Sequence, residues 1–401
     1  MRQHLLIGLV FAATVLNYVD RQALALLKPM LHQEFGWTDL QFAHLGAAFQ
    51  MATAAALFLV GWCIDRFGVR HTYGAAVALW SAAAMAHAAA LGIRAFAAAR
   101  VVLAIAEAAN TPAAMKAVAI YLPLRARSMA VGIVNSASNI GAMLAPLLII
   151  PLALALGWRM AFVAIGAVGF LWLPCWLATT RHLVPAGHAL GTPQGERPSF
   201  DLRRTLGDRR SWTVIGAKVL TDGVWWFVLF WMPDFFMRHF TLAQDALGGP
   251  LAIVFMLAAL GSLSGGKLFP WLLGRGFSID KARKGTMLFH ALLILPMPLA
   301  LGMTSPWMAA CVVGLGLFAH QGFSTSIFGM ATDIVPAARL ATVIAMGAVA
   351  GNLSGAAVVE LAGWSLQRGF GYAPLFVFCA GAYLATLAYI QLMQPVLVEN
   401  G

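Results

Sequence analysis

Gly61-Trp62-Cys63-Ile64-Asp65-Arg66-Phe67-Gly68-Val69-Arg70 joins two long apolar runs, 40–63 and 71–91. Its glycines allow a tight turn and a close approach of the flanking segments. Asp65 stands where one run ends, with Arg66 and Arg70 on either side of Gly68. An acid at such a helix end can pair with a base and latch two helices at the membrane surface. The plainer reading of the same residues is a basic loop that only fixes topology.

The two flanking runs are part of a series. Apolar runs recur at 5–30, 40–63, 71–91, 95–120, 128–155, 158–180, 211–236, 247–270, 284–303, 306–332, 338–363 and 371–394, and a helical bilayer crossing needs roughly 20 apolar residues. The 401-residue chain is 61% hydrophobic and only 10% charged, against about 25% charged in soluble domains. No soluble core hides that much apolar surface, so lipid is the solvent that remains. The runs lack the alternation of a barrel strand, which leaves helices to satisfy the backbone in lipid. The expected fold is an all-α polytopic membrane protein with twelve transmembrane helices. The first run passes through Asn17-Tyr18-Val19-Asp20-Arg21 without a small-residue cleavage site, so it reads as a membrane helix and not as a leader.

The net charge of +11 lies mostly between the runs, where it sets topology and does not call for nucleic acid. With the N-terminus inside, Arg66, Arg70, Arg125, Arg127, Arg275, Lys281, Arg283, Lys284 and Arg339 fall in cytoplasmic loops, and only Arg94, Arg159, Arg238 and Arg368 fall outside. Both termini are therefore expected in the cytoplasm. The longest connection, 181–210, is rich in Arg, Pro and Gly. It divides the chain into six-helix bundles at 1–180 and 211–401, a pattern that suggests two pseudo-symmetric halves.

The loop stretch matches G-x-x-x-D-R-x-G-x-R through Gly61, Asp65, Arg66, Gly68 and Arg70, and on it the chain resembles the major facilitator superfamily. The second half holds a degenerate echo, Gly265-Gly266-Lys267 followed by Gly274-Arg275-Gly276 and Ala282-Arg283-Lys284. Within the superfamily the chain is similar to anion:cation symporters, and closely to bacterial hexuronate transporters. The similarity is carried by Asn17 to Arg21, by Arg100 with Glu107-Ala108-Ala109, by Pro112 to Lys116, and by Arg127-Ser128 through Gly132. It continues in Ile140 to Pro146, Trp225-Trp226-Phe227, Trp231-Met232-Pro233 and Phe318 to Gln321. The resemblance implies a proton-coupled importer of a monoanionic sugar acid, a hexuronate such as glucuronate or galacturonate or a related aldonate, working by alternating access in the bacterial inner membrane. It implies no cofactor. The partners expected are the anion, protons and lipid, for a chain working as a monomer. Two other readings stay open: a transporter or exchanger of another organic anion, sugar phosphate included, and a membrane sensor that keeps the fold without transport.

Ionisable residues inside a span cost about 2.5–3.5 kcal/mol each on insertion scales, so each is a functional hypothesis. Arg100 and Glu107 lie seven apart, on one helix face and about 10 Å apart along the axis. A cation nearby favours the charged carboxyl and burial favours the neutral one, a balance that suits a proton carrier; a static pair is the alternative. Arg21 offers a carboxylate a bidentate fork, with Asn17 one turn away and Tyr18 beside it. In the symporters the chain resembles, the residue matching Arg21 binds the acid, and the one matching Asp20 can take a proton. Asp20 can equally do no more than neutralise Arg21. Asn135, Ser138 and Asn139 form a polar stripe for sugar hydroxyls or for helix association. Trp226, with Trp225 and Trp231, can wall a sugar ring or pack against its surroundings. His320 and Gln321 are site candidates or satisfied core residues. Lys116 falls on the face opposite Glu107, and Lys28, Lys218, Asp222 and Glu360 have no role assigned from sequence.

Cys63, Cys175, Cys311 and Cys379 are scattered among apolar runs with no metal-ligand spacing, so neither a metal site nor a disulfide framework is expected. No nucleophile, phosphate loop or cofactor motif stands in a usable context, so an enzyme is not expected. The charge bias yields a test of orientation. A single cysteine introduced as Gly195→Cys is expected to stay unlabelled by an impermeant thiol reagent applied outside whole cells. Ready labelling there overturns the topology.

Overall fold

The structure, a computed structural model, describes residues 2–122, 124–181, 183 and 202–397; within these, the side chains of 2, 3, 124–129, 131, 135, 202–204, 337, 338 and 341 are outside the description. Most of the connection 181–210 falls outside the described residues. The chain divides into two compact units, Met1–Arg197 and Pro198–Gly401.

The first unit holds α1 (Arg2–Phe35), α2 (Asp39–Phe67), α3 (Val69–Ala86), α4 (Ile93–Glu107), α5 (Asn110–Tyr121), α6 (Leu124–Leu156) and α7 (Trp158–Arg181). The second holds the short α8 (Leu202–Gly207), then α9 (Arg209–Phe240), α10 (Gly248–Gly274), α11 (Ile279–Leu293), α12 (Pro306–Ile334), α13 (Ala337–Gln367) and α14 (Ala373–Met393). Among the described residues, ten helical stretches are long and apolar enough to cross a bilayer. The two further crossings are α3 with its 3-10 extension His87–Ala89, and the pair α4–α5. Large apolar side chains face outward, Leu171 at 72% exposure and Phe58 at 66%, as lipid-facing surfaces require.

The run expected as one span, 95–120, is two helices. The amide of Ala109 bonds back to Ala106 in a tight turn, and regular bonding resumes only with Ala113 to Ala109. Pro112 accounts for the joint. It has no N–H for the Ala108 carbonyl, and its ring crowds that oxygen.

Packing follows one scheme in both units. In the first, α1 packs on α6 and α7, α2 on α4, and α3 on α4 and α7. In the second, α9 packs on α13 and α14, α10 on α12, and α11 on α12 and α14. The order of contacts repeats six crossings later, as a pseudo-symmetric pair of bundles demands. Gly68 alone joins α2 to α3, at φ 78°, a conformation in which a Cβ is strained. Thr38 and Gln41 form a capping box at the start of α2.

The α1–α6 contact depends on Gly141, where a Cβ would lie 2.6 Å from the Val15 carbonyl oxygen and 2.9 Å from Tyr18 Cβ. Gly132, on the same helix, has nothing within 4 Å. Gly141→Ala is therefore expected to destabilise by about 1–3 kcal/mol through overpacking. Gly132→Ala should be neutral or stabilising by up to about 1 kcal/mol. Thermal unfolding of the purified protein measures both, and equal effects would refute the close-contact account.

Candidate functional site

The site in the first unit starts from α1. Asn17, Asp20 and Arg21 are 1%, 3% and 8% exposed in the middle of an apolar helix. Charges so placed need partners. Arg21 Nε donates to Glu107 Oε2 at 2.9 Å, and Glu107 is the last residue of α4. Its other oxygen, Oε1, is buried without a hydrogen-bond partner among the described residues, as is Asn17 Nδ2 one turn before Arg21. Buried polar atoms left this way mark a place that a ligand or water completes.

Arg100 is fully buried. Its Nη2 donates to the backbone oxygen of Arg21 at 3.1 Å. The same-face relation of Arg100 and Glu107 thus serves α1 from both residues: one holds its backbone, the other its guanidinium. Phe49 of α2 lies beneath both cations, 4.4 Å from the Arg100 guanidinium carbon and 5.5 Å from that of Arg21. The Tyr18 ring flanks Arg21 at 5.3 Å. Aromatic faces of this kind stabilise a desolvated guanidinium. Asn139 on α6 is 2% exposed; the Asn135 side chain lies outside the described residues.

At the loop, Asp65 pairs with Lys116 of α5, the residue expected on the face opposite Glu107. Arg70 Nη2 donates to the Leu177 carbonyl at 3.3 Å, and Trp176 Nε1 donates to the Arg70 carbonyl at 2.9 Å, which ties α3 to α7. Gly61 and Arg66 are exposed. The echo in the second unit is a pair of different construction. Arg283 on α11 reaches Asp333 on α12 at 2.7 Å and lies 3.5 Å over the Phe269 ring.

The second unit buries its own pair. Lys218 and Asp222, one turn apart on α9, meet at 2.7 Å. Gly347, Gly351 and Gly355 of α13 face Lys218, Asp222 and Trp226 in turn. Trp226, 6% exposed, is pressed to the Gly355 backbone, and Trp231 is fully buried with Nε1 donating to the Val359 carbonyl at 3.3 Å. His320 stacks on Trp225, centroids 5.7 Å apart, and its Nδ1 is hydrogen-bonded to the Tyr383 hydroxyl at 2.6 Å. Gln321 is half-buried next to it. The sequence reading had no place for Phe49, whose aromatic ring is lost in an apolar run, nor for Asn110. The only signal for Asn110 was its position between Glu107 and Pro112.

A bundle of six helices repeated twice, with buried charge pairs in its spans, is an architecture of secondary transporters. Residues 10–359 match the family model of the Major Facilitator Superfamily, and the chain belongs to that superfamily: it is a multi-pass membrane transporter and not an enzyme. It is 29% identical to the hexuronate transporter of Escherichia coli K12 over 393 residues, 94% of this chain and 90% of the relative. It is 30% identical to the galacturonate transporter of Dickeya chrysanthemi over 331 residues, 78% of this chain and 95% of the relative. It is 27% identical to the D-galactonate transporter of Escherichia coli O6:H1 over 422 residues, 98% and 96% of the two chains. Among solved structures, a bacterial homologue of the human lysosomal transporter Spinster superposes with a TM-score of 0.75 at 19% identity, over 96% of this chain and 94% of that one. The D-xylose-proton symporter superposes with 0.75 at 17% identity, over 97% of each. Both share the fold.

The buried pair makes a stability prediction. Removing one partner strands the other charge and costs about 3–5 kcal/mol. Arg21→Met is expected to lower the unfolding temperature markedly, and adding Glu107→Gln should recover more than half of the loss. Simple additivity of the two substitutions would show that the pair is not the source.

Proposed function

We propose that the protein imports a monoanionic sugar acid together with protons by alternating access, with a hexuronate such as glucuronate or galacturonate, or a related aldonate, as cargo. The observation that carries the reading is the Arg21–Glu107 contact. Arg21 is the group that binds a carboxylate, and Glu107 is already seated on it as an internal carboxylate. The cargo and ionised Glu107 compete for one guanidinium. A proton on Glu107 removes its charge and releases the fork, so anion and proton enter the cycle together. Arg100 holds the backbone of Arg21, and Asn17 and Tyr18 flank the carboxylate position. Asp20 is the second candidate proton carrier. Asn135 and Asn139 supply polar contacts in the first half, and Trp226, His320 and Gln321 are the candidates of the second.

The charge count agrees with a monoanion. Arg21 and Arg100 balance Asp20 and Glu107, so one proton leaves a single positive charge to match one carboxylate. The relatives named for hexuronates, galacturonate and galactonate all carry such cargo by their names. In this reading 1–180 and 211–401 are the moving halves and 181–210 a cytoplasmic linker. The chain works as a monomer in the bacterial cytoplasmic membrane with both termini inside, and Gly61, Asp65, Arg66, Gly68 and Arg70 govern the conformational change.

Uptake of labelled glucuronate into proteoliposomes under an imposed pH gradient tests the reading, with galacturonate, galactonate and sulfoacetate in parallel. Sulfoacetate belongs in the panel because a probable sulfoacetate transporter of Cupriavidus necator is 27% identical over 305 residues. Accumulation of sulfoacetate alone would replace the cargo class. Glu107→Gln is expected to abolish pH-driven accumulation while leaving exchange of labelled for unlabelled substrate. Arg21→Lys is expected to lose most binding, since charge remains but the planar two-point grip does not. Proton-driven accumulation by the Glu107→Gln protein would remove Glu107 from the mechanism.

A further inference from the structure

Glu107 ends α4, and two alanines separate it from Asn110, the first residue of α5. A joint of Ala108 and Ala109 has only methyl groups with which to fix its own geometry. The next side chain does the fixing. Asn110 is 1% exposed. Its Oδ1 accepts from the Tyr73 hydroxyl of α3 at 2.7 Å, and its Nδ2 donates to Thr14 Oγ1 of α1 at 3.3 Å. The Thr14 hydroxyl donates in turn to the Val10 carbonyl at 3.0 Å. Tyr73 is held by the rings of Trp172 and Trp176, at centroid distances of 5.4 and 5.1 Å.

Thr14 and Arg21 are seven apart on α1 and share a face. The broken span is therefore joined to one face of α1 by two rungs. One is charged, Glu107 to Arg21; the other is neutral, Asn110 to Thr14. The charged rung opens when Glu107 takes a proton or when an anion claims Arg21. The neutral rung has no group that ionises between pH 5 and 8 and stays closed. The ionisable groups acting on Glu107 are Asp20 and Arg21 from α1 and Arg100 from its own helix; α2 presents the Phe49 ring to both guanidiniums, and α3 presents Tyr73.

We propose that Asn110 is a positioning residue for Glu107: through Thr14 and Tyr73 it pins the joint of the broken span, so that the carboxyl stays within reach of Arg21 while the ion pair opens and closes. The inference rests on the reading of Glu107 as proton carrier, and its test separates the two.

Binding of D-glucuronate to the purified full-length protein is measured by calorimetry at pH 6 and pH 8. In the unmodified protein affinity is expected to fall about tenfold across that interval, as ionised Glu107 reclaims Arg21, and Asn110→Ala is expected to reduce the ratio below about threefold. Tyr73→Phe, which keeps the ring packing, and Thr14→Val, which keeps the shape, should give intermediate ratios. Asn110→Ala placed on Glu107→Gln should leave the ratio of that variant unchanged. If Asn110→Ala weakens binding equally at both pH values and the ratio stands, Asn110 is only structural and the proposal fails. If Glu107→Gln keeps the full pH ratio, or if glucuronate does not bind, the carrier reading fails. The positioning claim is then decided without ligand by the Arg21→Met, Glu107→Gln double-mutant cycle in thermal unfolding, run once in the unmodified protein and once in the Asn110→Ala variant. Coupling lost in the Asn110→Ala background upholds it, and coupling unchanged there overturns it.

Discussion

An ionised side chain in the middle of an apolar span persists only with a partner, and the contact between Arg21 and Glu107 answers that demand for two helices at once. Much of the first unit is arranged around it. The α4–α5 joint ends a helix at Glu107. Arg100 is buried to hold the Arg21 backbone, and Phe49 spreads its ring under both cations. Replacing a buried pair by apolar residues of similar volume is often neutral or stabilising. Stability alone is therefore a weak reason for this arrangement, and the proposed exchange of partners at Arg21 offers another.

The loop pair of Asp65 and Lys116 obeys opposite economics. Its acid side chain is 75% exposed and its base 33%, and an ion pair so open to solvent contributes at most about 1 kcal/mol. A contact that weak can be made and broken within a transport cycle at little cost. The Arg283–Asp333 pair of the second unit is more enclosed, with side chains 8% and 20% exposed and an aromatic ring under the guanidinium. The two halves share a packing order without sharing the enclosure of these ion pairs.

The crossings could be read from the sequence because composition fixes them: lipid leaves a 61% hydrophobic chain few alternatives. The loop stretch was equally plain, since an acid and two bases around a glycine stand out between apolar runs. The candidate site was legible as a set of buried polar residues and not as a set of bonds. Glu107 shares a helix face with Arg100, yet its partner is Arg21, because helix spacing says nothing of which neighbouring helix faces the stripe. The face expected for Lys116 assumed one unbroken helix, which the joint after Glu107 interrupts, and its partner Asp65 comes from how α5 packs on α2. The joint follows from the missing N–H of Pro112, but a run that stays apolar on both sides of the proline reads as a single span. Lys218 and Asp222 showed their one-turn spacing, but what buries them is the bare backbone of a helix more than a hundred residues later.

That bare backbone works as a rack. Lys218, Asp222 and Trp226 are three teeth spaced one turn apart, and Gly347, Gly351 and Gly355 are the matching notches. The positions one turn beyond the notches are filled by Val343 and Val359, both buried. A slide of α13 along α9 by a full turn in either direction, about 5.4 Å, would drive a tooth into a branched side chain, and a smaller slide would drive it into the wall between notches. The two helices are keyed in a single register and travel as one body, so whatever the second half does during a cycle, its seventh and eleventh crossings do together.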